Sequence, residues 1–403
     1  MSASKNILVT SSSLILTDYL PAGEGLIAYN ILDYLARSGN NITALAPQVR
    51  LKNANLNFQT VELGNFDFFP APDEFNYLLR WRKYSKLANE YYKTVLNGYE
   101  FDVIHYMLPM NLNQSYSLIL NKPLIVGPAF HPWIDLSEDE YSSTEIKERK
   151  DLIIVRKIKN FIKKRLKHSN KIKYHSTLSA ADKIIVTLDC VRKFFPEEFQ
   201  NKIVKIPIGV DTTYFTPAET LPDNNNVLFL AYLVKRKGLE YLIKAIEIIK
   251  RRIPDVKLNV VGDGPDKDFF IKLTSDLKLE NNVVFAGNAN HKDTVQYFRK
   301  SQIYVLPSLC EPFGMSVLEA MSCGLPVIAT DAGGIPEVMG VKNKEYLTPP
   351  RDAEKLADKI IRLLLNYDKC REAGKDNREY AVRNYDWRLV SAKYNSLYDE
   401  ICG

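Results

Sequence analysis

Two carboxylates, Glu311 and Glu319, stand eight residues apart in a segment that could do chemistry on a sugar or a nucleotide. A turn through Gly314 is predicted to follow Glu311, and a short helix to run from there to Gly324. The free N–H groups and the positive dipole end of such a helix suit a diphosphate. Carboxylates beside it can accept hydrogen bonds from ribose or sugar hydroxyls. The alternative is that both glutamates are solvated or structural.

The elements that must position these residues are short apolar runs alternating with helical patterns, which is typical of parallel α/β sheets. Strands are predicted in the first half at Ile7–Thr10, Ile42–Ala46, Val103–Tyr106, Leu124–Val126, Lys183–Thr187 and Ile203–Ile206. They are predicted in the second half at Val227–Ala231, Lys257–Val261, Val283–Ala286, Ile303–Pro307 and Pro326–Thr330. The clearest helices are Gly25–Arg37 and Glu240–Arg251.

A chain of 403 residues is too long for one ordinary hydrophobic core. We expect two tandem doubly wound Rossmann-like domains, 1–210 and 211–384, with ligands at the carboxyl ends of the strands in a shared cleft. A last helix at 385–403 either crosses back to the first domain or packs on the second. A dinucleotide-binding fold is disfavoured because no GxGxxG occurs and the second strand does not end in an acid.

The composition, 46% hydrophobic and 25% charged, is that of a globular protein without a run of 18 apolar residues. The N-terminus lacks the pattern of a signal peptide, and five scattered cysteines favour a reducing compartment. We therefore expect a cytoplasmic protein. The net charge of +6 comes from the first 210 residues, where 27 Lys and Arg outnumber 21 Asp and Glu. That asymmetry indicates an anionic partner for the first half.

Glu311 and Glu319 form an E-x7-E pair inside EPFGMSVLEAMSCGLPVIATDAGGIPE, which closely resembles the hallmark of family 4 retaining glycosyltransferases with the GT-B fold. The likeness extends to LVKRKGLEYL from Leu233, VGDGP from Val261, VFAG from Val284 and IGVDTTYF from Ile208. It covers most of residues 180–400 and is looser in the first half.

The resemblance implies roles residue by residue. Glu319 would bind the ribose of a nucleotide-sugar donor, Glu311 the hydroxyls of the transferred sugar, and Lys237 the diphosphate. The other donor contacts that the likeness implies in this half lie at the helix start and in the glycine segments: Gly262, Gly287, Phe313, Gly314, Met315 and Ser316.

The chain departs from the family pattern after the first strand of the second half. Family members usually carry Gly-Arg where this chain has Ala231-Tyr232, so an arginine that faces the leaving group is missing. Arg236 either replaces it or points into solvent. In the second case the leaving group is stabilised by Lys237 and the helix terminus alone, and donor affinity is weaker.

In the first half, Gly23 and Gly25 lie between a strand and a helix, where glycine lets the backbone approach a phosphate or simply makes a turn. His131 follows an apolar strand and falls at its carboxyl end. A lone histidine is usually structural, but the family places one here, near the donor sugar. Asp18 and Tyr19 are candidates for the acceptor side.

A basic segment, 154–168, carries an apolar helical face between lysine-rich flanks. Such a helix either lies on an anionic membrane surface, where a lipid-linked acceptor is found, or packs on its own domain. Nucleic-acid binding is disfavoured because no recognised module accompanies the charge. Asp266 and Asp268 form a DxD triplet, which we interpret as a helix cap, and we expect neither metal nor cofactor.

The predicted function is transfer of a hexose-type sugar from a nucleotide-diphosphate donor to a glycan, lipid-linked or small-molecule acceptor, with retention of anomeric configuration. Three alternatives remain: a catalytically silent partner subunit that binds sugar nucleotides, a sugar-nucleotide epimerase, and a phosphorylase. The last would need a lysine-anchored pyridoxal phosphate, for which the sequence offers no convincing context.

Overall fold

The computed structural model describes residues 4–10, 15–19, 23–64, 74–107, 122–130 and 175–403. They form two compact units. The first contains the described residues up to Phe130, residues 175–208 and Trp387–Gly403, and the second contains Gly209–Asp386. Each unit is built on a parallel sheet, so the predicted α/β class is confirmed.

The first unit has a seven-stranded sheet in the order β5-β3-β1-β6-β7-β8-β9, and every neighbouring pair is parallel. Its strands are β1 Asn6–Thr10, β3 Asn41–Ala46, β5 Gln59–Glu62, β6 Val103–Tyr106, β7 Leu124–Ala129, β8 Lys183–Val186 and β9 Ile203–Lys205. Two short strands, β2 Leu16–Thr17 and β4 Val49–Arg50, pair separately. The helices are α1 Gly23–Arg37 and α2 Glu74–Thr94. β6 and β7 are buried throughout, as strands covered on both faces must be.

The second unit has a six-stranded parallel sheet in the order β12-β11-β10-β13-β14-β15. Its strands are β10 Asn226–Leu230, β11 Lys257–Val261, β12 Val283–Gly287, β13 Ile303–Leu306, β14 Val327–Thr330 and β15 Leu347–Thr348. Its helices are α3 Leu239–Lys250, α4 Lys267–Asp276, α5 Thr294–Arg299, α6 Met315–Ser322, α7 Ile335–Met339, α8 Ala353–Leu364 and α9 Tyr367–Tyr385.

Two helices of the second unit, α8 and α9, begin at a side-chain cap. The Asp352 side chain accepts a hydrogen bond from the Lys355 amide at 2.9 Å, which caps α8. The Asn366 side chain caps α9 in the same way through the Lys369 amide. α8 buries a continuous apolar stripe and packs against α3 beside the sheet.

The last helix, α10 Trp387–Cys402, belongs to the first unit and packs on α1. The Trp387 ring stacks on Tyr34 with centroids 5.8 Å apart, and Lys183 pairs with Glu400 at 2.6 Å. Of the two placements that the sequence leaves open, the structure has the crossing back to the first unit. At the start of the second unit, the Val210 amide donates to the Tyr385 carbonyl at 2.7 Å, next to that crossing.

Candidate functional site

The carboxyl ends of β10 and β13 form the switch point of the second sheet. These strands are neighbours, but the chain leaves β10 toward β11 on one side and leaves β13 toward β14 on the other. Loops that diverge in this way open a crevice, which is where ligands bind in doubly wound sheets. The segments that follow β10 and β13 carry Lys237 and Glu311.

The loop after β10 ends in a single 3-10 turn, Lys235–Lys237, which is held from two sides. The Asp266 carboxylate accepts a hydrogen bond from the Lys235 amide at 2.8 Å, and the Leu309 amide donates to the Arg236 carbonyl at 2.8 Å. Gly238, with φ of 73°, lies so close to Pro307 that a Cβ would stand 1.8 Å from the Pro307 carbonyl oxygen. The turn that carries Lys237 is therefore fixed against the end of β13.

The predicted position of Asp266 at a helix start is confirmed, but its side chain makes a different contact from the expected cap. Asp266 stands at the N-cap position of α4, but its side chain makes no capping bond to that helix. The carboxylate instead accepts the hydrogen bond from the Lys235 amide. Asp268 lies in the first turn of α4, where an acid complements the helix dipole. Among the described residues, no group of three or more His, Cys, Asp or Glu side chains could hold a metal ion.

Lys237 and Glu311 form an ion pair with their Nζ and Oε2 atoms 2.5 Å apart. Both side chains are largely buried, with 16% of Lys237 and 9% of Glu311 exposed. The Ser308 hydroxyl lies 3.3 Å from the same carboxylate oxygen and donates to it. A buried pair supported by a further hydrogen bond holds a fixed positive charge beside a fixed negative one.

The start of α6 presents backbone amides next to that pair. Gly314, in the left-handed region at φ of 92°, precedes the helix, and its carbonyl accepts from the Leu318 amide at 3.1 Å. The first two residues of the helix, Met315 and Ser316, are half-buried. The Phe313 ring is buried against Tyr385, so Phe313 can offer a ligand its backbone but not its side chain. This geometry suits an anion at the helix start.

The backbone of Glu311 is clamped as well. Its carbonyl accepts a hydrogen bond from the Gly334 amide at 2.8 Å, and a Cβ at Gly333 would stand 2.2 Å from the same oxygen. The loops after β13 and β14 are thus in direct contact, which holds the backbone at Glu311 in place.

Glu319 is paired with a histidine that sequence reasoning missed. The Nε2 atom of His291 lies 2.7 Å from Oε1 of Glu319, with 30% and 6% of the two side chains exposed. Burial by itself lowers the pKa of His291, but the charge of Glu319 and their hydrogen bond raise it, and the net result is a raised pKa. His291 follows β12, so the rule that drew attention to His131, a histidine after a strand end, could have found it.

The two glycines at the ends of β11 and β12 differ in their surroundings. A Cβ at Gly262, whose φ is 135°, would stand 2.0 Å from the Ala231 carbonyl oxygen, and the Gly262 amide donates to the Gly287 carbonyl at 2.8 Å. Gly262 therefore has a packing reason to be glycine. Gly287, with φ of 78°, has open space at its Cβ position.

Tyr232 stands where the family pattern has an arginine, and Arg236, four residues later, is the candidate replacement. Arg236 is half-buried, and its carbonyl accepts the hydrogen bond from the Leu309 amide. Tyr232, by contrast, is 54% exposed. The hydroxyl of the buried Tyr304 lies 2.7 Å from the Ser316 hydroxyl and 3.2 Å from the Leu230 carbonyl oxygen. Burial raises the pKa of Tyr304, so this phenol stays protonated and links β10 to α6.

In the first unit, Gly23 and Gly25 both lie in the first turn of a helix, whereas the sequence predicted Gly23 in the loop before that helix and Gly25 as its first residue. α1 begins at Gly23, and a Cβ at Gly25 would stand 2.1 Å from the Ile15 carbonyl oxygen, so Gly25 also has a packing reason. Asp18 accepts hydrogen bonds from the Lys52 and Asn53 amides at 2.9 and 2.8 Å. His131 and the basic segment 154–168 lie outside the described residues.

Comparisons with known proteins find similarity to glycosyltransferases over most of the second unit. Residues 212–380 match the family described as glycosyl transferases group 1. The chain is 30% identical over 205 residues to a GDP-mannose-dependent alpha-(1-6)-phosphatidylinositol monomannoside mannosyltransferase of Mycobacterium tuberculosis, covering 47% of this chain and 53% of that one. It is 30% identical over 198 residues to one of the subunits of human phosphatidylinositol N-acetylglucosaminyltransferase, covering 49% and 40%. The chain thus spans about half the length of these curated relatives.

The whole fold has a counterpart among solved structures. Sucrose-phosphate synthase from Thermosynechococcus elongatus superposes with a TM-score of 0.71 over 98% of both chains, at 21% identity. The two parallel sheets and the switch-point crevice therefore have the architecture of the GT-B fold. Within it, residues 212–380 are the part that matches glycosyl transferases group 1.

Proposed function

We propose that this chain transfers a hexose-type sugar from a nucleoside-diphosphate sugar to a glycolipid acceptor, with retention of anomeric configuration. The observation that carries the proposal is the meeting of Lys237, Glu311 and the start of α6 at one switch point. A cation and free amides suit a diphosphate, and a carboxylate beside them suits the hydroxyls of the attached sugar. The match of residues 212–380 to glycosyl transferases group 1 supports the same chemistry.

In the proposed reaction, the bond between the anomeric carbon and the phosphate oxygen breaks while the acceptor oxygen bonds to that carbon from the same face. The acceptor's proton moves to the departing diphosphate, so no enzymic nucleophile is needed. Negative charge develops on the leaving group, and preorganised donors are the most effective way to stabilise it. Lys237 and the amides at Gly314 and Met315 supply those donors, with Arg236 as a further candidate.

The glycolipid acceptor is proposed from the relatives, since the names of both contain phosphatidylinositol. They differ in the sugar, mannose in one and N-acetylglucosamine in the other, so the hexose is left open. None of the helices in the described ranges is long and apolar enough to cross a membrane. Segment 154–168 remains our candidate for contact with an anionic membrane surface, and Gly23, Gly25 and His131 remain candidates for the donor site.

The first experiment is thermal denaturation with UDP, GDP and ADP, using Glu319→Ala to test the site and the exposed Glu354→Ala of α8 as the control variant. A ligand at 100 times its dissociation constant adds about 2.7 kcal/mol of stability. We expect one nucleotide to stabilise wild type and Glu354→Ala but not Glu319→Ala. Stabilisation by none of them would contradict the proposal.

The second experiment separates transfer from its alternatives. The sugar nucleotide with the preferred base is incubated with the protein, with and without phosphatidylinositol in vesicles. A glycolipid product establishes transfer. Binding without turnover supports the silent-partner alternative, and interconversion of the sugar nucleotide without acceptor supports an epimerase. We expect turnover to persist in EDTA, because Lys237 and backbone amides carry the charge on the leaving group.

A further inference from the structure

His291 lies where it can control the second carboxylate of the site. Its Nε2 atom holds Oε1 of Glu319 at 2.7 Å. Within the described part of the chain, no group hydrogen-bonds to the other oxygen, Oε2 of Glu319. A carboxylate held by one oxygen keeps a single orientation, because the hydrogen bond opposes rotation about its terminal torsion.

His291 is itself held in place by its neighbours. Its carbonyl accepts a hydrogen bond from the Thr294 hydroxyl at 2.6 Å, and the next carbonyl, that of Lys292, accepts from the Tyr214 hydroxyl at 2.7 Å. The Phe215 ring packs against the imidazole with centroids 5.3 Å apart. The backbone bonds do not involve the imidazole, so the loop can keep its course when the side chain is changed.

We propose that His291 is a positioning residue of the donor site, which holds Oε1 of Glu319 so that Oε2 is presented to a ribose hydroxyl of the bound nucleoside diphosphate. This inference rests on the proposed function, because it needs a nucleotide whose ribose meets Glu319. It adds to that site a residue whose effect on binding depends on the ribose hydroxyls of the ligand. The raised pKa of His291 agrees with it, because an imidazolium holds a carboxylate more firmly than a neutral ring does.

The test compares His291→Ala with His291→Gln, whose amide can still donate to Glu319. Dissociation constants are measured for the diphosphate that binds wild type among UDP, GDP and ADP, and for its 2′,3′-dideoxy counterpart. We expect His291→Ala to weaken binding of the ribonucleotide about tenfold, the usual scale for a lost charge-assisted hydrogen bond, and to leave the dideoxynucleotide almost unchanged. His291→Gln should restore most of the ribonucleotide affinity.

The outcomes separate this inference from the proposed function. If no nucleotide binds wild type, both are overturned. If one binds but His291→Ala leaves its affinity unchanged, only the role of His291 is overturned. Equal losses for ribo- and dideoxynucleotide, or a glutamine variant as weak as the alanine variant, point to a structural role and overturn it too. Melting of each variant without ligand shows whether the fold is intact.

Discussion

The Nζ atom of Lys237 lies 2.5 Å from Oε2 of Glu311, although the two residues are 74 positions apart in the chain. The contact joins the loops that leave the two neighbouring strands at the switch point, β10 and β13. Because each loop is clamped by backbone contacts of its own, the pair is set by the fold and not by two flexible side chains. Removal of either side chain leaves the other charge buried and unpaired, so each variant must be checked for folding by thermal melting as well as for activity.

Lys237 is the residue whose replacement should cost most in turnover. We expect Lys237→Ala to lower kcat by about 100- to 1000-fold, the range found when one preorganised donor to a developing negative charge is removed. Lys237→Glu should abolish turnover, because it places a negative charge beside the leaving diphosphate. The measurement is initial-rate transfer from the sugar nucleotide identified by the binding screen.

Lys244 of α3 provides the matched control. Its Nζ atom pairs with Glu240 at 2.6 Å, but 42% of its side chain is exposed on a helix surface. Lys244→Ala should keep nearly full kcat, since exposed ion pairs contribute little to stability. Intact turnover in Lys237→Glu would remove the basis of the proposed mechanism.

Gly238 should be far less replaceable than Gly287, although both have positive φ, 73° and 78°. A Cβ at Gly238 meets the Pro307 carbonyl oxygen, whereas Gly287 has open space. Gly287→Ala should cost about 1–2 kcal/mol, the strain of the left-handed region alone. Gly238→Ala should cost more, because the loop that carries Lys237 must also move away from β13.

Hydrogen exchange of the β10 and β13 amides measures this difference within the second unit. We expect the β10 and β13 amides to exchange fastest in Gly238→Ala, more slowly in Gly287→Ala and slowest in wild type. Equal protection in the two variants would show that the contact with Pro307 relaxes without cost.

Much of the second unit could be predicted from the sequence, because its strands are short apolar runs bounded by turn residues. The predicted Lys257–Val261 strand matches β11 at both ends, and the strand predicted from Val283 ends one residue early. β2 and β4, of two residues each, carry no periodicity and were not predicted. The pairing of His291 with Glu319 could not be predicted either, since it depends on how two loops meet in space.

The glycines show the same limit. At Gly25 the sequence indicated a close approach, and at Gly262 the resemblance implied a donor contact. In neither case could the sequence say whether the approaching group is a ligand or the chain's own carbonyl. The structure shows the carbonyls of Ile15 and Ala231 at these positions. A glycine between a strand and a helix can thus make room either for a ligand or for the chain's own backbone, and only the structure distinguishes the two.

Tyr398 and Tyr394 of α10 should respond in opposite ways to loss of their hydroxyls. Both are fully buried, but the Tyr398 hydroxyl lies 2.8 Å from Nδ1 of His105, whereas the Tyr394 hydroxyl has no hydrogen-bond partner among the described residues. Tyr398→Phe leaves a buried ring nitrogen unpaired and should cost about 1–3 kcal/mol. Tyr394→Phe removes an unpaired group and should be neutral or stabilising.

Tryptophan fluorescence during urea denaturation can report this comparison, because the two described tryptophans, Trp81 and Trp387, lie buried in the first unit. Tyr394→Phe is the matched control, one turn away on the same helix. A Tyr394→Phe variant destabilised as much as Tyr398→Phe would mean that ring packing, and not the bond to His105, anchors α10.

His105 should make the stability of the first unit depend on pH. Its Nε2 atom lies 3.0 Å from the Gly127 carbonyl oxygen, which can only accept, so Nε2 carries the proton and Nδ1 accepts from Tyr398. Burial lowers the pKa of His105 from 6.5 to about 4. The titratable groups seen around the ring are Tyr398 and Tyr394, which burial keeps neutral.

The sign follows from which state binds the proton. Between the folded pKa of about 4 and the ordinary value of 6.5, the unfolded chain is protonated at this histidine and the folded chain is not. The stabilisation is therefore complete above the ordinary value and is lost as the pH falls toward the folded pKa. From pH 7 to pH 5 we expect wild type to lose about 2 kcal/mol more than His105→Gln, which has no titratable ring. Urea denaturation at both pH values measures the difference, and equal losses in the two proteins would show that His105 is not the group that titrates.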